Sequence, residues 1–269
     1  MLILIYYQNK KEFMVYKSPI ADFKYNLDML EYNSFAESIE QFKDYDAETV
    51  MSVVEQVAKF NEQEMVDSNK KADREGLIYV KDGNEGPEVK TPEYFKSLYQ
   101  SVIDSGYIGA CNPTEYGGGG APFAMGILSG EIGIASNMAF YMGPGLSQGA
   151  IKAILKKANK ELKDKYLPKM ISGEWMGTMC LTEPQCGTDL GLIRTTAIPE
   201  EDYYKLNGQK IWISFGEHDL TENIIHLVLA RLPDAPAGIK GISLFLVPKR
   251  LDDNSRNPIF CGGLEHKLG

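Results

Sequence analysis

The sequence predicts an α+β protein in which a block of helices precedes a β-barrel or sandwich domain. Apolar residues recur at helical spacing from about 27 to 172, and after Gly173 the pattern shortens to strand-length runs. Within the second part, Asn207-Gly208 is the strongest hairpin signal in the chain. The change of period divides the chain into a helical domain over 14–173 and a β-domain over 174–269.

Val50, Val53, Val54 and Val57 stand at i, i+3, i+4 and i+7 behind Asp46, which can cap the helix they define. Residues 81–90, KDGNEGPEVK, are polar, contain Gly and Pro, and read as a loop. The next helix is punctuated at both ends. Thr91 is its cap, Pro92 fits its first turn, Phe95, Leu98, Tyr99 and Val102 form its buried stripe, and Gly106 is a left-handed stop. Further helices are expected at about 122–135, 147–157 and 159–172, with Pro168 breaking the last. Strands are expected at 175–182, 192–198 and 203–206. Asn207-Gly208 then turns the chain into a strand over 209–214, and the apolar runs at 224–230 and 241–247 complete the set.

A chain of 269 residues accommodates two domains, and 43% hydrophobic with 24% charged residues is a soluble globular composition. The net charge of −9 and the brevity of the basic pairs at Lys10-Lys11, Lys70-Lys71 and Lys156-Lys157 argue against nucleic-acid and membrane partners. The opening MLILIYY run is too short to span a bilayer and lacks the flanks of a signal peptide. Cys111, Cys180, Cys186 and Cys261 show no CxxC pairing and read as free thiols of a reducing cytoplasm. His218, His226 and His266 lack metal-ligand spacing, so no metal site is expected.

Two glycine-rich stretches invite a phosphate-binding reading. Residues 117–120 are four glycines with no Gly-Lys-Ser/Thr after them. MGPGLSQG at 142–149 has its third glycine out of register for a dinucleotide loop and follows no strand, so its glycines read as turns between helices. More chemistry resides in Thr182-Glu183-Pro184 and Gly187-Thr188-Asp189. A strand ending in Thr-x-Pro leaves backbone groups exposed, because proline cannot continue the ladder. Such a rim suits a planar ring edged with carbonyls and N–H groups. Gly187 allows a bulky ligand to approach, and Thr188 adds a hydroxyl. Trp212 and Ser214, two apart on an expected strand, would share a face where an indole packs on a ring system and a hydroxyl bonds a ring nitrogen. A plain polar turn, and a core tryptophan beside a solvated serine, fit the same residues.

TEPQCGTD with WIS downstream resembles the acyl-CoA dehydrogenase signature TEPxxGSD followed by W-I-T/S. The likeness runs from Met14 to Gly269 and includes NPTEYGGGG, YLPKMISGEW, LNGQKIWIS and GLEHKLG. On that ground residues 1–13 are expected to be a non-native extension. LTEPQCGTDLGL, SFGEHDLTEN and GIKGISLFLVPK most resemble the dehydrogenases of dimethylsulfoniopropionate degradation, which act on 3-methylthiopropionyl-CoA.

The resemblance implies FAD as cofactor and α,β-dehydrogenation of an acyl-CoA, in fatty acid or sulfur-compound catabolism. It implies that Met179, Leu181 and Thr182 hold the flavin pyrimidine, with Gly187 beside them. Thr188 would bind cofactor or substrate phosphate or carbonyl groups. Trp212, Ile213 and Ser214 would pack against the isoalloxazine, Ser214 near N5. Phe215-Gly216-Glu217-His218-Asp219 departs from the family's usual Asn-Gly continuation, which could shape a subgroup's pocket or be a loop without chemistry. The family's catalytic base is a glutamate of a C-terminal helical domain, expected beyond Gly269. Glu183, Glu217 and Asp189 do not match it, so no catalytic residue is assigned and residues 1–269 alone are expected to be inactive. The resemblance also implies an electron-transfer flavoprotein-type acceptor and a homo-oligomer built through the C-terminal domain. A flavin-free binding protein on the same fold and a nucleic-acid-binding alkylation-response relative are the competing readings. An oxidase differs only in using O₂.

Overall fold

In the computed structural model, which describes residues 16–266, helices precede the main sheet in the expected order. The extension expected over 1–13 lies outside the described residues. Helices α1 (Ile20–Met29) and α2 (Tyr32–Glu37) pack beside α3 (Ala47–Phe60). Asp46 caps α3 by accepting the Thr49 N–H at 2.7 Å, and Val50 and Val54 are buried with Met51 and Ala58. A π-turn over Asn61–Met65 leads into α4 (Val66–Glu75).

The stretch read as a loop at 81–90 is a hairpin instead. Strand β1 (Ile78–Gly83) pairs antiparallel with β2 (Gly86–Lys90), Tyr79 opposite Val89. A two-stranded ribbon needs few inward residues, and here Val89 is the one fully buried, so the polar remainder concealed the strands. The hairpin lies against the far end of the chain. Tyr79 Oη donates to the Cys261 carbonyl, and Gly86, at φ 105°, sits where a Cβ would meet the Phe260 ring at 2.9 Å.

Helix α5 (Glu93–Asp104) buries Phe95, Leu98, Tyr99 and Val102 as expected, and Gly106 follows it at φ 68°. Thr91 does not cap it. The residue before a proline is held extended, Pro92 occupies the cap position, and the Thr91 hydroxyl turns to Asp219.

Two of the expected helices are one. Helix α6 (Phe123–Lys157) runs through 136–146 and is kinked at Asn137, whose φ of −156° and ψ of 87° are not helical. The cause is local: Asn137 Oδ1 accepts the Phe140 N–H at 3.0 Å, starting a second helical rod, while Nδ2 donates to Ser68 Oγ at 2.8 Å. The glycines of 142–149 therefore lie inside a helix rather than in turns. Helix α7 (Lys160–Ser172) likewise continues through Pro168. The amide lost there costs about 3 kcal/mol in an exposed helix, but Tyr166, Leu167, Met170 and Ile171 bury one stripe on both sides of it. Among the described residues, α6 alone has the length and composition to cross a membrane. It packs on α3, α4, α7 and the sheet, with Ile132, Phe140, Ile151 and Ile154 buried.

Five strands form one mixed sheet. Strand β3 (Trp175–Cys180) pairs parallel with β6 (Asn223–Arg231), which pairs antiparallel on its other edge with β7 (Ile242–Pro248). Strand β4 (Thr196–Pro199) extends from Thr196 opposite Arg231 and carries β5 (Tyr204–Asn207) as a hairpin. Most of β6 is buried, as an apolar central strand should be. The helices meet the sheet at Gly177. Its N–H donates to Ser147 Oγ at 2.9 Å, and a Cβ there would stand 2.6 Å from the Ala150 Cβ.

The strand expected over 209–214 is absent, and Asn207-Gly208 is not a hairpin turn. The hairpin closes earlier, around 200–203, with Asn207 paired to Thr196. Gly208 serves a crossing instead, since a Cβ there would meet the Thr195 Oγ1 at 2.2 Å. The strand expected over 192–198 begins only at Thr196, after a 3-10 turn at Leu190–Leu192.

Candidate functional site

Strand β3 lies at the edge of the sheet, so one side of its backbone has no ladder partner. The half-buried Met179 side chain packs against the core cluster that includes Tyr166, Ile225 and Leu227. Past the strand end, Glu183 and Cys186 exchange backbone hydrogen bonds of 2.8 and 3.0 Å across Pro184-Gln185, forming a tight turn. Gly187 follows, exposed, with room for a Cβ 3.4 Å from Thr182 Cγ2.

Residues 209–214 come back against this turn. Ile211 N–H donates to the Thr182 carbonyl at 3.0 Å, and Lys210 Nζ donates to the Leu181 carbonyl at 2.9 Å. The structure thus brings the two motif segments into direct contact without a shared strand. Trp212 and Ser214 do not alternate on one ladder as expected. Trp212 stands at φ 61°, and Phe215, third residue of a turn closed by Gly216 N–H to Ile213 C=O, at φ 54°. A left-handed backbone costs an L-residue roughly 1–2 kcal/mol, and two aromatic residues carry it within four positions. Trp212 remains 41% exposed, so it is no core tryptophan.

The polar groups here divide into two kinds. Among the described residues, the hydroxyls of Thr182, Thr188 and Ser214 and the indole N–H of Trp212 have no hydrogen-bond partner. The buried carboxylates, by contrast, are committed. Glu183, with its side chain 3% exposed, accepts from Arg194 N–H at 2.7 Å, Thr195 N–H at 3.1 Å, Gln185 Nε2 at 2.6 Å and Lys210 Nζ at 2.8 Å. Burial pushes this carboxyl up, but the Lys210 ammonium, Thr195, Arg194 and Gln185 together outweigh it and hold it down at about 2. Asp189 accepts the Gly191 N–H. Glu217 is buried between Lys249 and Arg256. Glu183 and Glu217 are therefore not free bases, whereas Asp189 is exposed and held at one oxygen only.

The unusual continuation at 215–219 is a strap between the two halves. Phe215 packs where a Cβ on Gly143 of α6 would come within 2.7 Å of its ring. Asp219 Oδ1 accepts both the N–H and the hydroxyl of Thr91, at 3.0 and 2.8 Å. His218 is buried, and its Nδ1 accepts the Leu220 N–H at 3.2 Å. Burial, with the nearby positive charge of Lys249, pushes the His218 imidazole down to about 3. His226, hydrogen-bonded to Thr178 Oγ1 at 2.7 Å, is pushed down to about 4, chiefly by burial. Sequence reasoning passed over Lys210, whose partner Glu183 lies 27 positions away and leaves no local spacing signal.

Residues 47–174 match the acyl-CoA dehydrogenase N-terminal domain, and residues 178–265 match the acyl-CoA dehydrogenase middle domain. The chain belongs to the acyl-CoA dehydrogenase family. It is 38% identical to 3-methylmercaptopropionyl-CoA dehydrogenase of Ruegeria pomeroyi over 262 residues, covering 95% of this chain and 44% of that protein. It is 39% identical to a butyryl-CoA dehydrogenase of Syntrophomonas wolfei over 209 residues, 75% of this chain and 34% of the relative. The crystal structure of acyl-CoA dehydrogenase from Geobacillus kaustophilus superposes with a TM-score of 0.61 at 28% identity, covering 76% of this chain and 48% of that one. The chain therefore spans less than half the length of these relatives. Members of the family are FAD flavoproteins.

Proposed function

We propose that this chain supplies the flavin-holding wall of an FAD-dependent acyl-CoA dehydrogenase. The observation that carries the reading is that three hydroxyls and an indole stand uncommitted on two touching segments, while the buried carboxylates Glu183 and Glu217 are locked in ion pairs. In this reading Thr182 and the backbone at Met179 and Leu181 bind the pyrimidine edge. Gly187 leaves room beside them, Thr188 takes a phosphate or carbonyl group of cofactor or substrate, and Trp212, Ile213 and Ser214 pack on the ring system. FAD, when bound, supplies the oxidant for the Cα–Cβ bond of an acyl thioester.

The chain's own contribution is orientation and exclusion of water rather than proton transfer. Removing an α-proton from a thioester needs a carboxylate free to accept it. Freeing Glu183 or Glu217 would strand a buried cation. Neither buried glutamate is therefore assigned as the base.

Similarity to the Ruegeria pomeroyi protein supports a short, sulfur-bearing acyl group as substrate, with butyryl-CoA the alternative to compare. An electron-transfer flavoprotein-type acceptor, a homo-oligomer and a cytoplasmic location complete the reading. The test is reconstitution of the intact protein with FAD, followed by bleaching of the flavin bands on adding 3-methylthiopropionyl-CoA or butyryl-CoA. Protein that takes up no FAD would return the chain to the binding-protein reading.

A further inference from the structure

We propose that two buried ion-pair clusters, Lys210 with Glu183 and Glu217 with Lys249 and Arg256, clamp the left-handed segment 212–215 in the geometry that meets the flavin. Lys210 and Glu217 are then positioning residues for the reaction. The inference rests on the flavin reading and goes beyond it, because neither side chain is among those assigned to the ligand.

The segment cannot hold itself. Trp212 at φ 61° and Phe215 at φ 54° occupy a region L-residues leave when they are free to do so. No ladder restrains them. Among the described residues, two backbone hydrogen bonds hold 209–216, Ile211 N–H to Thr182 and Gly216 N–H to Ile213.

What fixes the segment are its two ends. Two positions before Trp212, Lys210 is 11% exposed and its ammonium joins the Glu183 carboxylate to the Leu181 carbonyl. Two positions after Phe215, the Glu217 side chain is 4% exposed, paired with Lys249 and with Arg256 at 2.7 Å. Separating buried opposite charges leaves each without solvent, so such anchors yield far less readily than neutral hydrogen bonds. The anchors also belong to different parts of the fold. One is the turn after β3, the other the stretch following β7. Between them the Phe215 ring lies against α6 at Gly143, which blocks relaxation sideways. A strained aromatic segment is thus pinned at both ends and at one side, with Trp212 left exposed for contact.

The test uses the intact protein in a Trp175→Phe background, with any tryptophan outside 1–269 also changed to Phe, so that Trp212 alone emits. FAD affinity and the ligand-free Trp212 emission spectrum are measured for Lys210→Met, Lys210→Arg, Glu217→Gln and a core control, Leu167→Ala. The expectation is that Lys210→Met and Glu217→Gln shift the emission and bind FAD at least about tenfold more weakly. Lys210→Arg should stay within about threefold of the parent, and Leu167→Ala should bind FAD as the parent does although it is less stable. Folded Lys210→Met with parental emission and affinity overturns the proposal, as does an arginine variant no better than methionine. If Lys210→Met is recovered only unfolded, Lys210→Gln and Glu217→Gln carry the comparison. If all clamp variants unfold while Leu167→Ala folds, the pairs serve global stability and the positioning role is lost. A parent that binds no FAD sinks the flavin reading, while the emission spectra still judge the clamp.

Discussion

Asp219 and Thr91, far apart in sequence, are joined twice: one carboxylate oxygen accepts both the backbone N–H and the hydroxyl of the threonine. Lys96 adds a contact of 3.3 Å to the other oxygen. Burial raises the Asp219 carboxyl, but Thr91 and Lys96 more than reverse this and leave it below the usual range. Asp219→Ala should lower unfolding stability by about 1–3 kcal/mol, since it strands a donor pair at the entry to α5. Asp219→Asn, which keeps an acceptor, should lose less. Urea unfolding of both variants checks this, and equal losses would show that the hydrogen bonds are not the cause.

At Gly177 the sheet and α6 approach too closely for a side chain, with Ala150 Cβ 2.6 Å and Met170 Cε 2.8 Å from the position a Cβ would take. Gly177→Ala should therefore destabilise by about 1–3 kcal/mol through overpacking. Adding Ala150→Gly removes the opposing methyl, so the double variant should be more stable than the sum of the single effects. Additive losses in a thermal or urea cycle would place the strain elsewhere.

Stability should fall on acidification well before most carboxylates titrate. His218 and His226 are buried neutral, with their native values pushed down to about 3 and about 4 from an ordinary 6.5. Above pH 6.5 neither state carries the proton. Below it the unfolded chain binds protons that the native chain refuses, so stability is lost progressively down to pH about 4 for His226 and about 3 for His218. Glu183 adds the same sign between 4.5 and about 2, where the native carboxylate stays ionised and the unfolded one protonates. A urea midpoint that stays flat from pH 7 to 5 would contradict this, and His218→Gln should flatten that part of the profile.

The uncommitted hydroxyls separate binding from folding. Thr182→Ala and Ser214→Ala remove no hydrogen bond within the described residues, so the thermal midpoint should hold within measurement error. Each should weaken FAD by up to about tenfold, the usual worth of one hydrogen bond. Trp212→Ala should lose more, as it deletes ring contact as well. Titration by flavin fluorescence alongside a melting curve makes the comparison, and unchanged affinity in all three would withdraw these residues from the site.

Much of this was legible from short-range pattern. The buried stripes of α3 and α5, the Asp46 cap and the run of β6 are set by neighbours a few positions apart, and they stand where periodicity puts them. What pattern missed depends on partners distant in sequence. Thr91 has cap chemistry, but Asp219 takes its hydroxyl. Gly208 follows an asparagine as in a hairpin, yet Thr195 is the reason it is glycine. The two motif segments do touch, Ile211 N–H on the Thr182 carbonyl, but Trp212 lies on a loop with positive-φ residues instead of a strand. The ion pairs around that loop join residues with no local relation, and no spacing rule reaches them.

Strands β3 and β6 run parallel, so the chain must travel the length of the sheet and back before they can pair. Both motif segments lie on that return journey. Pairing therefore waits for the very stretch that carries Thr182 and Trp212, and the order of assembly links them: a molecule whose central strands have joined has already brought these segments within the same closed loop. Cutting the chain at the exposed 200–203 turn should spare that loop's two ends, whereas lengthening 183–186 or 209–211 should delay the sheet itself.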